Sequence, residues 1–415
     1  MNLKDYKTRV FCRLCNSSNL ISVLKLESTP PANAFVTEEE CIKEQKRYPL
    51  KLFFCNNCNH VQLTDVVDPR ELFSNYVYVS GTSPVFVNHF KNYAKTIIKD
   101  HSPDLNKYVL DIGSNDGTLL RFFKEMGYKV IGVDPAEKIS KKANQDGIFT
   151  INGFFNLEMA EKIKDKYSYA SLITANNVFA HCDDLSGITD AVSKLLAPEG
   201  LFVFEVSYLV DVYQKTLFDT IYHEHLSYHS VTPLIKFFES KRMTLIDVVK
   251  VNTHGGSIRC VIKNNSSNAE VKKSVKTFVN LEKSLAFHES STFIKFSNKI
   301  EERKKELCDL LKKIKADKKS IAGFGAPAKA TTLMYEFGLN NDILDFIVDD
   351  SPLKQGLFSP GLNIPVFSSS QIETLKPDYL LILAWNFADS IIKNNRKFIE
   401  SGGKFIIPLP TLEVI

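Results

Sequence analysis

Two cysteine pairs, Cys12-x-x-Cys15 and Cys55-x-x-Cys58, constrain this chain more than any other feature of its sequence. Paired knuckles of this kind offer four thiolates, the donor set of a tetrahedral zinc site. A shell of four thiolates leaves no open position for water. The ion is therefore expected to be structural, stapling a segment too small for its own core. The wide gap between the pairs marks an insertion around Pro30 and Pro31, expected as short strands and turns. Two unrelated pairs of buried thiols are the alternative. His60 stands beside the second knuckle, but four cysteines already fill the shell.

The chain has 415 residues, which exceeds one compact core and implies two or three domains. Its 44% hydrophobic and 24% charged content excludes disordered and fibrous classes. A net charge of +4 is small for this length and points to neither nucleic acid nor a membrane as partner. The run Lys312, Lys313, Lys315, Lys318 and Lys319 reads as the polar face of a helix. No apolar run is long enough to span a bilayer, and Met1 to Val10 lacks the apolar centre of a secretory signal. The expectation is a cytoplasmic protein whose cysteines are thiols or metal ligands.

Three blocks follow: 1–68, a zinc-binding module; 69–265, a first α/β domain; and 266–415, a second. In the first α/β domain, Tyr108–Ile112, Lys129–Asp134, Ser171–Asn176 and Leu201–Glu205 read as strands separated by helical patterns. That alternation implies a mostly parallel, Rossmann-like sheet covered on both faces. Leu245–Val251 and Ser257–Lys263 flank His254-Gly255-Gly256 as an antiparallel hairpin. The third block opens with long helical patterns, in which Ile300, Leu307, Leu311 and Ile314 share one face. Strands are expected there at Ser320–Phe324, Ile343–Val348, Tyr379–Ala384 and Lys404–Ile407.

Asp111-Ile-Gly113-Ser-Asn115-Asp116-Gly117-Thr118 follows the first parallel strand. A glycine turn at a strand's carboxyl end lets backbone approach a ligand closely. Asp134 ends the next strand, where a carboxylate can accept both ribose hydroxyls. The spacing is not that of a dinucleotide loop, so the pair favours S-adenosylmethionine over NAD. Gly153-Phe154-Phe155 offers an aromatic edge for the adenine, or plain core. Asn176, Asn177 and His181 follow the third strand; the amides suit the methionine moiety or substrate, and His181 is a candidate base. Tyr222-His223-Glu224-His225 crowds proton-carrying groups, suited to general-base work, to metal chelation by the two histidines, or to a satisfied polar cluster. Gly323-Phe-Gly325-Ala-Pro-Ala-Lys329, with Asp349 and Asp350 after the next strand, is a weak match to a dinucleotide turn.

Six motifs in register resemble one family, the C-methyltransferases of nucleotide-linked 4-keto sugars. They are the four cysteines, Tyr76-x-Tyr78-x-Ser80-Gly81, Asp111 to Thr118, Tyr222-x-Glu224-His225, His254-Gly255-Gly256-Ser257-x-Arg259 and Gly323-x-Gly325-Ala-x-x-Lys329. The resemblance spans nearly the whole chain. It implies a zinc module, a central class I methyltransferase domain and a C-terminal α/β domain, with substrate between them. It also implies His225 as the base removing the proton alpha to the ketone, Glu224 or Tyr222 orienting it, and Tyr76 donating to the enolate oxygen. The cofactor would sit on Asp111, Gly113, Asn115, Asp116, Gly117, Asp134 and Asn176. The dTDP-, GDP- or CDP-linked sugar would meet Tyr78, Ser80, Asn177, His254, Arg259 and Lys329. A sugar O-methyltransferase and an NAD-dependent nucleotide-sugar oxidoreductase are the alternatives.

Overall fold

The computed structural model describes residues 6–73, 81, 84–265 and 270–415, without the side chain of residue 254. In the N-terminal block, β1 (Tyr6–Thr8) pairs antiparallel with β5 (Asp65–Val67). Between them, β2 (Leu20–Thr29), β3 (Tyr48–Cys55) and β4 (Val61–Leu63) form an antiparallel meander. The insertion between the knuckles is thus largely two long strands, of ten and eight residues, rather than short ones. β3 explains why: Tyr48, Leu50, Leu52 and Phe54 alternate inward, the period of a sheet with one covered face.

The central sheet begins with β6 (Tyr108–Ile112), β7 (Lys129–Asp134), β8 (Thr150–Asn152), β9 (Ala170–Asn176) and β10 (Leu196–Ser207), all parallel. Every residue of β6 is buried, as expected for a parallel strand covered on both faces. The next strand, β11 (Ser227–Tyr228), leaves this sheet and pairs antiparallel with β4. It becomes the edge of the N-terminal sheet, in the order β11-β4-β3-β2. The hairpin β12 (Met243–Val251) and β13 (Ser257–Asn264) then completes the central sheet in the order β12-β13-β10-β9-β6-β7-β8. The expected mixed sheet is present.

The third block opens as expected with helices, Lys273–Ser284 and then the long Ser290–Ala316, which buries Ile300, Leu307, Leu311 and Ile314. Its Phe293 ring packs 5.6 Å from Phe54 of β3, so this helix closes over the N-terminal sheet. The lysine run is solvated, with Lys315 and Lys319 paired to Asp345 and Asp378. The C-terminal sheet comprises β14 (Ile321–Phe324), β15 (Ile347–Val348), β16 (Val366–Phe367), β17 (Tyr379–Ile382), β18 (Lys404–Ile407) and β19 (Glu413–Val414). Its order is β16-β15-β14-β17-β18-β19, parallel except for β19. The strand expected from Ile343 is only Ile347–Val348, because a turn at Asn340–Leu344 uses the preceding backbone. One continuous apolar core runs from Cys12 to Leu409 through all three blocks. Among the described residues, no helix is long and apolar enough to cross a membrane.

Candidate active site

The four knuckle cysteines converge. Their sulfurs all lie within 4.8 Å of one another, with Cys12–Cys58 and Cys15–Cys55 each at 3.5 Å. A tetrahedron of sulfurs about 2.3 Å from zinc has edges of about 3.8 Å, so the four fit the ion. Both knuckles close alike. Asn16 and Asn59 take positive φ (56° and 70°) and donate their N–H to the carbonyls of Cys12 and Cys55. Asparagine tolerates that left-handed conformation better than most residues. His60 is buried outside the cluster, its Nε2 3.3 Å from Ser227 Oγ.

At the carboxyl end of β6 the chain turns over Gly113, whose φ is +67°. A Cβ there would stand 2.4 Å from Val178 Cγ2, so only glycine fits beneath this loop. Asp111 lies below the turn, accepting from Thr174 Oγ1 at 2.6 Å, and burial pushes its carboxyl up to about 7. Asp116 accepts the Thr118 N–H and hydroxyl, and its other oxygen takes the Gly81 N–H at 3.0 Å. It thereby satisfies the first N–H of the helix Thr118–Glu125 and ties Gly81 to the loop. Asp134 accepts the N–H groups of Asn115 and Ala136, each at 2.9 Å. Burial raises its carboxyl despite those two bonds. Each of its oxygens keeps a second lone pair for a ribose hydroxyl. Phe155 packs on the core, whereas Phe154 stays 42% exposed after β8, out of the core.

Asn176 closes β9. Its amide and the Tyr93 hydroxyl are buried against each other, and no hydrogen bond of good geometry satisfies either. Buried orphans of this kind, beside a glycine turn, are what a polar ligand would satisfy. Asn177 (φ 55°) donates its N–H to Glu205 O at 2.8 Å. Together these groups can hold S-adenosylmethionine across the ends of β6, β7 and β9.

Residues 222–225 form a turn, closed by His225 N–H to Tyr222 O at 2.9 Å. The turn sends its two histidines in opposite directions. His223 is buried with Nε2 3.1 Å from Tyr48 O, and burial lowers its pKa to about 4. His225 points the other way, with Tyr222 and His181 at 4.2 and 5.0 Å between ring centroids. Chelation by the pair is thereby ruled out by direction. His229, also buried, is lowered to about 3. His225 Nδ1 lies 2.7 Å from Thr220 O. A carbonyl only accepts, so Nδ1 carries the proton and Nε2 is the basic nitrogen. Glu224 accepts from Asn33 of the N-terminal block at 3.2 Å, and Phe73 stacks on His181 at 5.6 Å. Tyr76, Tyr78, Ser80 and the His254 side chain lie outside the described residues.

Arg259 on β13 is committed within the protein. It pairs with Glu205 at 2.6 Å and covers the Tyr93 ring at 4.0 Å. Glu205 also meets His89 at 2.7 Å; burial pushes its carboxyl up, but His89 and Arg259 outweigh burial and hold it below its ordinary value. This His89–Glu205–Arg259 network was not anticipated. Its one sequence signal is a carboxylate inside the apolar run of residues 201–206. Lys329 likewise pairs with Asp219 at 3.3 Å and lies over Trp385 at 4.0 Å, and burial lowers its pKa despite Asp219. In the same turn Gly325 has φ +87°, and a Cβ there would meet Ala384 Cβ at 2.5 Å.

Three family profiles match in succession: a zinc binding domain over residues 12–73, a methyltransferase domain over 87–243, and a C-methyltransferase C-terminal domain over 252–410. The chain is 35% identical to the C-methyltransferase NovU of Streptomyces niveus, over 97% of this chain and 96% of that one. Among solved structures, a S-adenosylmethionine-dependent methyltransferase from Clostridium acetobutylicum ATCC 824 matches with TM-score 0.35 and 13% identity, over 43% of this chain and 92% of that one. Magnesium protoporphyrin IX methyltransferase from Synechocystis PCC 6803 matches with TM-score 0.34 and 13% identity, over 43% and 83%. Cysteine cluster, central sheet and full-length likeness agree: the chain belongs to the S-adenosylmethionine-dependent C-methyltransferases that carry an N-terminal zinc-binding domain.

Proposed function

We propose that this C-methyltransferase methylates the carbon alpha to the ketone, C3 beside a C4 ketone, of a nucleotide-linked 4-keto-deoxy sugar. The observation that carries the reading is the His225 tautomer, which puts the basic lone pair on Nε2, beside Tyr222 and His181. His225 Nε2 takes the C3 proton, and the electron pair moves into the C4 carbonyl to give an enolate. Tyr76 donates to the enolate oxygen, and Glu224 or Tyr222 orients the imidazole, whose Nδ1 is held by Thr220 O. One placed base contributes about 10²–10⁴-fold; orientation and electrostatics supply the rest. S-adenosylmethionine, when bound, supplies a methyl group made electrophilic by its sulfonium, with its ribose on Asp134 and its methionine end by Asn176.

The nucleotide is assigned to the C-terminal sheet. Its parallel strands reverse order between β14 and β17, and in open α/β sheets ligands bind outside the carboxyl ends at that switch point. A cavity of about 480 Å³ lies there, lined by Gly325, Asp349, Asp350 and Ala384. Asp349 accepts from the N–H of Ala326 and Ser351, and exposed Asp350 suits ribose hydroxyls. Full-chain membership in the C-methyltransferases sets aside the O-methyl and oxidoreductase alternatives.

The test uses labelled S-adenosylmethionine with a panel of dTDP-, GDP- and CDP-linked 4-keto-6-deoxy hexoses. NMR of the product should show a methyl-branched C3. Without methyl donor, the wild type should exchange the alpha proton with deuterated water, and His225→Ala should lose that exchange while keeping cofactor affinity. Exchange at the wild-type rate in His225→Ala would move the base to His181.

A further inference from the structure

We infer that Arg13, set between the two cysteines of the first zinc knuckle, is a positioning residue for the His181–His225 pair, so that the zinc module acts on the chemistry as well as on stability. The inference rests on the reading of His225 as the base. Arg13 is 3% exposed as a residue, and its fully buried side chain reaches out of the module into the central domain. One terminal nitrogen donates to Leu63 O and, at 3.2 Å, to Leu226 O, the carbonyl next to His225. Nε and the other terminal nitrogen each lie 3.2 Å from Asp183 Oδ1, two residues beyond His181. One side chain therefore grips the carbonyl next to His225 and the carboxylate two residues beyond His181.

Neighbouring contacts point the same way. Leu226 O also accepts the Leu63 N–H at 2.9 Å, and the chain then continues as β11 on the edge of the module's sheet. Lys7 and Arg9 reach Asp183 as well, at 2.6 and 3.3 Å. His223 and Glu224 are held by Tyr48 and Asn33 of the same module. The zinc module thus supplies contacts on both sides of the 5.0 Å gap between the His181 and His225 rings, beside the bond from His225 Nδ1 to Thr220 O within the central domain. Arginine suits this task, because its planar fork holds several acceptors in fixed directions where lysine offers one point charge.

The bland alternative is a buried guanidinium that is merely satisfied. Two variants in the full, zinc-loaded chain separate the two, Arg13→Met and Asp183→Asn. The substrate-free readout is the imidazole nitrogen NMR signals of His225, assigned by their disappearance in His225→Gln. Arg13→Met should shift those signals at unchanged zinc content and unchanged S-adenosylmethionine affinity. With the best sugar nucleotide of the panel, kcat should fall about 10- to 100-fold with KM little changed, the loss expected from misplacing a base by about 1 Å. Should Arg13→Met fail to fold or to hold zinc, Asp183→Asn removes the same ion pair from outside the knuckle and should shift the same signals. Signals that stay put in every folded variant overturn the inference, even where turnover drops. Signals that move while turnover holds support the positioning and instead overturn His225 as the base.

Discussion

Asp111 sits directly beneath the glycine turn after β6, and burial raises its pKa to about 7, with the Thr174 hydroxyl opposing. An unfolded aspartate titrates near 3.9. The folded value is the higher one, so the native state binds more protons across the window between them. Its contribution to stability is therefore present below pH about 4 and is lost as pH rises through about 7, at most about 1.4 kcal/mol per pH unit. Asp111→Asn keeps an acceptor for Thr174 and removes the titration. Urea unfolding should show the variant gaining on wild type between pH 5 and pH 8; a difference independent of pH would mean that Asp111 stays ionised. At this scale the sequence showed where chemically capable residues crowd together but not which way they point. Tyr222, His223, Glu224 and His225 were visible as a cluster, yet His223 and His225 diverge only because the turn places one against Tyr48 O and the other against Thr220 O. Arg259 and Lys329 were visible as cations, while the carboxylates that hold them, Glu205 and Asp219, lie on other elements.

The elements of the central domain were legible because their determinants are local. β6 and β9 are short apolar runs ending at polar turns, and the β12–β13 hairpin announces itself by Gly255-Gly256. β11 was not legible. Ser227–Tyr228 is two residues long and exists only because β4, remote in sequence, offers an open edge. The glycine turn after β6 yields a prediction at this scale. Gly113→Ala forces a left-handed alanine, costing roughly 1–2 kcal/mol, and its methyl meets Val178 Cγ2 at 2.4 Å. The loop should shift, and calorimetry should find weakened S-adenosylmethionine binding with little change in thermal stability of the zinc module. Val178→Ala removes the methyl that is struck but not the backbone strain. The double variant should therefore recover part of the affinity, and no recovery at all would show that the overlap is not the cause.

At the scale of the molecule, the zinc module is shared structure. Its sheet takes β11 from the central domain, and its apolar face is covered by Phe293 of the long helix from the third block. Thr331 and Thr332 of the helix Ala328–Phe337 donate to Ala32 O and Ile221 O, joining the C-terminal domain to both neighbours. Structural zinc contributes about 10–16 kcal/mol of apparent binding free energy in small zinc-finger peptides, comparable to the roughly 5–15 kcal/mol that separates a typical domain from unfolding. Removing the ion should therefore release the module, and the shared sheet determines what goes with it. Hydrogen exchange after chelation, or in Cys55→Ser, should show β3, β4 and residues 222–228 losing protection together. β6, β7 and β9 should keep theirs, because their partners lie within the central sheet. Cofactor binding should accordingly outlast zinc loss while turnover does not. If residues 222–228 stay protected after β3 and β4 have opened, that segment is held by the central and C-terminal domains alone, and the module's sheet is not what keeps it in place.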